Sequence, residues 1–171
     1  MSRPFTKLIA AFVVTTLAGA ALHFLYELFP NVLTAIFSPM NESVWEHLKI
    51  IFWPYLAAAL ILNRRKGESL VPALAALLLI CALMLLTSYL YYVVWFGDNE
   101  AFGPVSFVLL MVLGFSLPSM IWRVAVMRWS DLVYPAVIVL AAALVLFTFL
   151  PPDHVLFADL SGANTWEVIP W

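Results

Sequence analysis

S-P-M-N-E-S-V-W-E-H-L-K-I-I-F-W-P, the sequence from Ser38 to Pro54, places four ionisable side chains at the start of an apolar stretch: Glu42, Glu46, His47 and Lys49. The whole chain is 65% hydrophobic and only 11% charged. Charge at the edge of an apolar helix is energetically unfavourable unless it has partners or serves a function. This stretch therefore predicts both where a helix begins and where a site lies.

The composition of the chain excludes a soluble globular protein. Mean hydropathy is +1.02 over 171 residues, and several apolar runs exceed the ~20 residues that a helix needs to cross a bilayer. We expect a multi-pass protein of the cell membrane, whose main partner is the lipid bilayer. No basic stripe indicates a nucleic-acid partner. The single cysteine, Cys81, excludes an intrachain disulfide.

Proline, glycine and polar clusters divide the apolar sequence into segments. We predict an all-α bundle of five transmembrane helices in residues 1–150, and a tail in residues 151–171 that packs on one end of the bundle. The first apolar run is longer than that of a signal peptide, so we expect it to be retained. The approximate spans are 8–29, 43–62, 70–96, 104–126 and 131–150.

The basic residues predict the orientation of this bundle. With five spans, seven of the eight basic residues fall on one side, and only Lys49 lies elsewhere. Because basic loops stay in the cytoplasm, we expect a cytoplasmic N-terminus and an extracytoplasmic tail. The seven residues are Arg3, Lys7, Arg64, Arg65, Lys66, Arg123 and Arg128.

Two local patterns predict details of the helices. Ser43 and Glu46 have the spacing of a capping box, which would start the second span at Ser43. Pro54 and Pro118 each predict a kink, and Pro118 would release the carbonyl of Gly114 from its helical hydrogen bond.

The ionisable residues are predicted to gather at the extracytoplasmic end. His23 and Glu27 are four residues apart, so they share one face of the first helix. A short connection joins this helix to the second, so His23 and His47 should lie at comparable depth. We expect the same pocket to include Asn41, Glu42, Lys49, Asp153, His154 and Asp159.

Three stretches resemble one family of small prokaryotic membrane proteins, which is classed only as a domain of unknown function. They are H-F-L-Y-E at 23–27, N-E-S-V-W-E-H-L-K at 41–49 and T-F-L-P-P-D-H-V-L-F-A-D at 148–159. The resemblance covers essentially the whole chain and implies no activity. Other members have a Gly-rich ending such as T-G-x-Y-G, where this chain has S-G-A-N-T at 161–165.

The first functional hypothesis is a metal centre formed by His23, Glu27, Glu46 and His47. Two imidazoles and two carboxylates suit zinc or another divalent metal. If three of them bind, a water molecule can take the open position and react as a nucleophile, with Glu46 as general base. The site would then be hydrolytic. Haem between the two histidines fits less well, because carboxylates suit a harder metal.

Two alternatives remain open at this point. Acidic and histidine side chains inside a bundle also form proton or ion pathways, although the inner halves of the spans are almost purely apolar. The same residues could instead form a buried network that sets helix register, as the spacing of Glu46 and Lys49 suggests. In that case the protein would act by binding a membrane partner or a second copy of itself.

Overall fold

The computed structural model describes residues 5–64, 70–119 and 126–161, and these residues form an all-α fold. Helix α4 (Val71–Ser88) continues as a π-helical segment, Tyr89–Val94. Short 3₁₀ turns occur at Leu117–Ser119, Met127–Trp129 and Val155–Phe157. Within the described ranges the α-helices are α1 (Phe5–Leu28), α2 (Val32–Phe37), α3 (Leu48–Leu62), α4 (Val71–Ser88), α5 (Phe102–Ser116) and α6 (Ser130–Phe149).

Three helical segments are long and apolar enough to cross a membrane: Thr6–Leu28, Val71–Val94 and Met127–Phe149. Helices α3 and α5 are also apolar but have only 15 residues each. At 1.5 Å per residue they are about 22 Å long, shorter than a hydrocarbon core of about 30 Å. The protein is therefore suited to a lipid environment, while five complete spans and their orientation remain predictions.

Helix α4 occupies the centre of the bundle. It packs on α3, α5 and α6, and it buries Leu77 and Ile80 completely. Helix α1 lies at the edge, against α3 and α5, and most of its surface is exposed. Such a distribution leaves the apolar surface of α1 available to lipid.

The second predicted span begins later than expected, at Leu48 rather than Ser43. The backbone N–H of Glu46 donates to Ser43 Oγ at 3.2 Å, which is half of the predicted capping box. The other half is absent, because Asn41 Oδ1 accepts from the Ser43 N–H at 3.1 Å. Asn41 thus holds residues 41–47 in turns, and α3 starts after them. The helix then continues through Pro54.

The fourth predicted span also differs, because its α-helix ends at Ser116 and continues as a 3₁₀ turn containing Pro118. The released carbonyl of Gly114 accepts a hydrogen bond from the Tyr55 hydroxyl at 2.6 Å. A side chain of α3 therefore satisfies the group that the proline frees.

Helix α2 lies within what the sequence analysis treated as a plain connection. It has a capping box, in which the Asn31 side chain accepts from the Thr34 N–H and the Thr34 hydroxyl accepts from the Asn31 N–H. The predicted end of the fourth span and the tail beyond residue 161 lie outside the described residues. The same holds for Arg3, Arg65, Lys66 and Arg123.

Candidate metal centre

Three side chains converge at one end of the bundle: His23 from α1, Glu42 from the connection and His47 immediately before α3. His47 Nε2 lies 3.1 Å from His23 Nε2 and 3.1 Å from Glu42 Oε2. The remaining pair, His23 Nε2 and Glu42 Oε2, is 3.9 Å apart. These three potential metal-ligand atoms all lie within 4.8 Å of one another.

The close approach of α1 and α3 brings the two histidines together. Gly19 lies one helical turn before His23, and a Cβ atom there would collide with the carbonyl oxygen of Ile50 and the ring of Phe107. Ile50 in turn lies three residues after His47. Glycine therefore allows the backbones to meet at the level of the site.

Ser38 attaches the connection to α1 on either side of His23. Its hydroxyl donates to the Leu22 carbonyl at 2.5 Å and accepts from the Tyr26 N–H at 3.0 Å. The hydroxyl thus lies between the carbonyl of Leu22 and the N–H of Tyr26, two groups that are four residues apart in the helical turn that carries His23. This contact fixes the start of the Glu42-containing loop relative to α1.

The hydrogen bond of His47 to the backbone defines which ring nitrogen faces the site. Nδ1 lies 2.8 Å from the carbonyl oxygen of Ser43, and a carbonyl can only accept, so Nδ1 carries the hydrogen. In a neutral ring Nε2 then presents a lone pair. It meets the Glu42 carboxylate at 3.1 Å, and two acceptors at that distance repel. Either a proton on His47 or a metal ion would remove this repulsion. Burial lowers the pKa of His47, but the hydrogen bonds to Glu42 and Ser43 outweigh burial and raise it, so the ring without metal holds a proton more readily than a free imidazole.

The electrostatics of Glu42 agree with this conclusion. The hydrogen bond with His47 is the main cause that lowers the pKa of Glu42, and burial opposes it. The nearby imidazoles lower this pKa further, whereas Asp159 raises it. Glu42 is therefore a carboxylate at neutral pH, as a metal ligand must be.

Two of the three distances between ligand atoms are close to those around a tetrahedral ion. Zinc bonds of about 2.0–2.1 Å to nitrogen and oxygen place neighbouring ligand atoms roughly 3.3 Å apart. Two of the three separations are 3.1 Å and the third is 3.9 Å. The side chains keep 29% (His23), 21% (His47) and 49% (Glu42) of their surface exposed. This exposure leaves access for a fourth ligand.

Glu46, which the sequence analysis grouped with the histidines, lies in a different cluster. Its Oε2 accepts from Lys49 Nζ at 2.6 Å and from the Met40 N–H at 2.9 Å. Thr148 of α6 donates its hydroxyl hydrogen to the Leu144 carbonyl at 2.7 Å, and its oxygen lies 3.4 Å from Glu46 Oε1. Because α3 begins only at Leu48, residues 42 and 46 do not share a helix face, and Glu42 takes the position beside the histidines.

Lys49 is completely buried within this second cluster. Besides Glu46, its ammonium donates to the carbonyl of Ala35 at 2.8 Å and to that of Ser38 at 3.3 Å. Three acceptors match its three N–H groups. Glu46 and Lys49 therefore form a buried, hydrogen-bonded ion pair that connects the loop to α2 and α3.

The other predicted pocket residues lie around these two clusters. Glu27 is exposed, and its charge acts on His23. Asn41 is buried, and its Nδ2 has no partner among the described residues. Asp153 is exposed, and the His154 ring accepts from the Leu156 N–H at the start of the last 3₁₀ turn.

The described part of the tail packs on the connection before α3. The backbone N–H of Trp45 donates to the Leu156 carbonyl at 3.0 Å. The ring of Phe157 is buried against the rings of Trp45 and Phe147. Asp159 follows directly, and its charge acts on Glu42. Its Oδ1 accepts two hydrogen bonds from Ser161.

Two features of the site were not assigned from the sequence: the ligand position of Glu42 and the role of Gly19. A small residue four positions before His23 is a recognisable signal for close helix packing. The choice between Glu42 and Glu46 had no comparable signal, since it depends on where α3 starts.

The similarity of the chain to other proteins supplies a family but no activity. No curated protein and no solved structure matches it. Residues 2–164 match the Family of unknown function (DUF6512), and the chain therefore belongs to this family.

Proposed function

We propose that this multi-pass membrane protein binds one divalent transition-metal ion, preferably zinc, through His23, Glu42 and His47. One observation carries the proposal: Nε2 of His47 faces the Glu42 carboxylate while its Nδ1–H is committed to Ser43. A metal ion between the three acceptor atoms would remove the repulsion and bond to all of them.

The donor set supports zinc. Two imidazoles and one carboxylate occur together in catalytic zinc sites, which keep the fourth position for water or substrate. The Ser43 carbonyl would act as the outer partner that orients a ligating imidazole. This second contact distinguishes the arrangement from a chance meeting of exposed polar groups.

A three-ligand site supports hydrolytic chemistry as the finer proposal. A zinc-bound water has its pKa lowered to near neutrality and becomes a nucleophile. Glu46 was the predicted base, but its carboxylate is engaged by Lys49.

We propose an extracytoplasmic location for this site in the cell membrane. Among the described residues, Lys7, Arg64 and Arg128 lie at helix ends remote from the site: the start of α1, the end of α3 and the start of α6. By the positive-inside rule, that end would face the cytoplasm. The site would then open to the outside, with a cytoplasmic N-terminus.

A structural network is the second candidate, and the buried Glu46–Lys49 pair favours it for those two residues. Transport has less support. The carbonyl released by Pro118 is already bound by Tyr55, so it offers no vacant ion ligand. A protein partner or a second copy remains compatible with either role.

Elemental analysis of the detergent-purified protein, prepared with zinc and without chelator, tests the metal proposal. We expect about one zinc per chain. His23→Ala and His47→Ala should each lose it, whereas His154→Ala should retain it. His154 is a matched control, since it lies at the same end but outside the three-ligand group. Metal-free wild-type protein, or zinc retained by the two site variants, would refute the proposal.

A further inference from the structure

Two contacts show how helices α1 and α5 lie against each other. A Cβ atom on Gly19 of α1 would collide with the ring of Phe107 of α5. Earlier on α1 and later on α5, the ring of Phe12 meets the ring of Phe115, with centroids 5.9 Å apart. The two helices therefore run in opposite directions, and a step toward the end of α1 corresponds to a step toward the start of α5.

His23 of α1 and Gly103 of α5 lie opposite each other, one helical turn from the contact of Gly19 with Phe107. His23 follows Gly19 by four residues. Gly103 precedes Phe107 by four residues. Each is therefore about 6 Å from this contact in the same direction, and only about 40° around its helix from the residue that makes it. His23 thus belongs to the face of α1 that packs on α5, and Gly103 to the face of α5 that packs on α1.

The hydroxyl of Tyr92 occupies the space that Gly103 leaves on this face. A Cβ atom on Gly103 would lie 3.4 Å from the hydroxyl oxygen. Tyr92 belongs to the π-helical segment after α4, a kind of irregularity that is frequent at functional sites. Its ring is held edge-on against Phe102, with centroids 5.6 Å apart. The hydroxyl is thereby positioned on the side of α5 that is turned toward His23.

The charge of Glu42 supports this position of the hydroxyl. It acts on Tyr92, as it does on the imidazoles of His23 and His47. Among the described residues, no protein group accepts a hydrogen bond from the Tyr92 hydroxyl. A tyrosine hydroxyl is both a donor and an acceptor, so Tyr92 offers a free donor beside the three metal ligands.

We propose that Tyr92 is a second binding point for the molecule that occupies the open position of the metal, and that this molecule carries a carboxylate. One carboxylate oxygen would bond to the metal, and the other would accept a hydrogen bond from the Tyr92 hydroxyl. This inference rests on the proposed metal site. Tyr92 would select ligands with two oxygen atoms on one centre.

The charge of the site favours a carboxylate over a phosphate dianion. A divalent ion and the Glu42 carboxylate together leave one positive charge, which a monoanion neutralises. The ammonium of Lys49 cannot supply a second charge, because it is paired with Glu46 at 2.6 Å. A carboxylate is also the product of ester and amide hydrolysis, so this class of ligand agrees with hydrolytic chemistry at the metal.

The test uses the full-length protein in a maltoside detergent, with cobalt in place of zinc, because the visible absorption of cobalt reports changes in its ligands. The two probes are acetate, which has two oxygen atoms, and thiocyanate, which binds cobalt through nitrogen and has no oxygen. Tyr92→Phe should weaken acetate binding by at least about tenfold, the usual effect of losing a hydrogen bond to a charged group. It should leave thiocyanate affinity and cobalt content unchanged.

Tyr91→Phe is the matched control, because it removes a hydroxyl from the neighbouring residue of the same π-helical segment. That hydroxyl accepts a hydrogen bond from the Asn99 N–H at 3.1 Å, so it is engaged elsewhere. We expect Tyr91→Phe to bind acetate and thiocyanate as the wild type does.

The outcomes distinguish this inference from the proposed function. Cobalt bound through His23 and His47, with acetate affinity equal in the wild type and Tyr92→Phe or with no acetate binding in either, would overturn the inference alone. The same holds if Tyr92→Phe weakens thiocyanate as much as acetate, if Tyr91→Phe has the same effect, or if Tyr92→Phe loses cobalt. Cobalt that fails to bind the wild type, or that binds equally well after His23→Ala, would overturn the metal site and the inference with it.

Discussion

Gly19 of α1 lies directly against the carbonyl oxygen of Ile50 in α3, with no room for a methyl group between them. This contact sets the separation of the two helices one turn away from both candidate imidazole ligands. A change in this contact should therefore alter both the zinc affinity and the stability of the protein.

Gly19→Ala should therefore weaken zinc binding by about 10-fold, within the range for groups that position ligands. It should also lower stability by roughly 1–3 kcal/mol, the usual cost of overpacking. Competition with a coloured chelator measures the first effect and thermal unfolding the second. Gly103→Ala is the control, because a Cβ there makes only ordinary contact with Tyr92. Unchanged zinc affinity in Gly19→Ala would show that helix separation does not control the site.

Glu42→Gln and Glu46→Gln should affect different properties, because the two carboxylates belong to different clusters. Removing the Glu42 carboxylate should weaken zinc binding by more than about 100-fold, since a direct ligand matters more than its outer partners. Removing the Glu46 charge should leave the zinc content unchanged and lower the unfolding temperature. Elemental analysis and thermal unfolding of both variants provide the comparison. Loss of zinc in Glu46→Gln, with zinc retained in Glu42→Gln, would instead support Glu46 as the carboxylate ligand beside the histidines.

Lys49→Met should destabilise the protein by about 3–5 kcal/mol, because it leaves the buried Glu46 carboxylate without its cation. The double variant Glu46→Gln/Lys49→Met should recover much of this loss, since no unpaired charge remains. Thermal unfolding of the two variants measures the difference. Glu27→Gln, at an exposed position on α1, is the control and should be neutral. Equal stability of Lys49→Met and the wild type would contradict the role assigned to the pair.

Zinc affinity should fall as the pH drops, because imidazoles must be unprotonated to bind a metal. Burial lowers the pKa of His47, but its hydrogen bonds to Glu42 and Ser43 outweigh burial and raise this pKa above the ordinary 6.5, so the loss should begin above pH 6.5. Glu42 should not contribute to this loss. Its pKa lies below the ordinary value of 4.5, so its contribution is complete above pH 4.5 and disappears only as the pH falls through the lowered pKa. Chelator competition between pH 5 and pH 8 measures the profile, with Glu42→Asp as the variant that keeps a carboxylate. An affinity that stays constant from pH 8 down to pH 5 would exclude histidine ligands.

Much of the fold could be predicted because apolar composition and proline positions are local signals. Long apolar runs indicated α1, α4 and α6, and Pro118 indicated where α5 is interrupted. The proximity of His23 and His47 could also be predicted, since a short connection forces the ends of α1 and α3 together. The histidine pair is an outcome of that constraint.

The choice of carboxylate could not be predicted, because it depends on contacts distant in sequence. Glu46 turns away from the histidines because Lys49 binds it and Thr148 lies against it, and Thr148 is 102 residues away. Likewise, Asn41 competes with Glu46 for the Ser43 N–H and so delays α3. Neither contact can be predicted from the spacing of residues along a helix.

The Glu46–Lys49 pair also bears on how the chain enters the membrane. Because the two opposite charges are only three residues apart and form an ion pair, they add no net charge to the segment 43–62 when it enters the apolar phase. Thr148 reaches the carboxylate only after α6 has been synthesised, so the last contact of the pair forms after every other described helix exists. A nascent chain that ends before Thr148 could therefore form the ion pair and its hydrogen bonds to residues 35–40, but not the contact that joins Glu46 to α6.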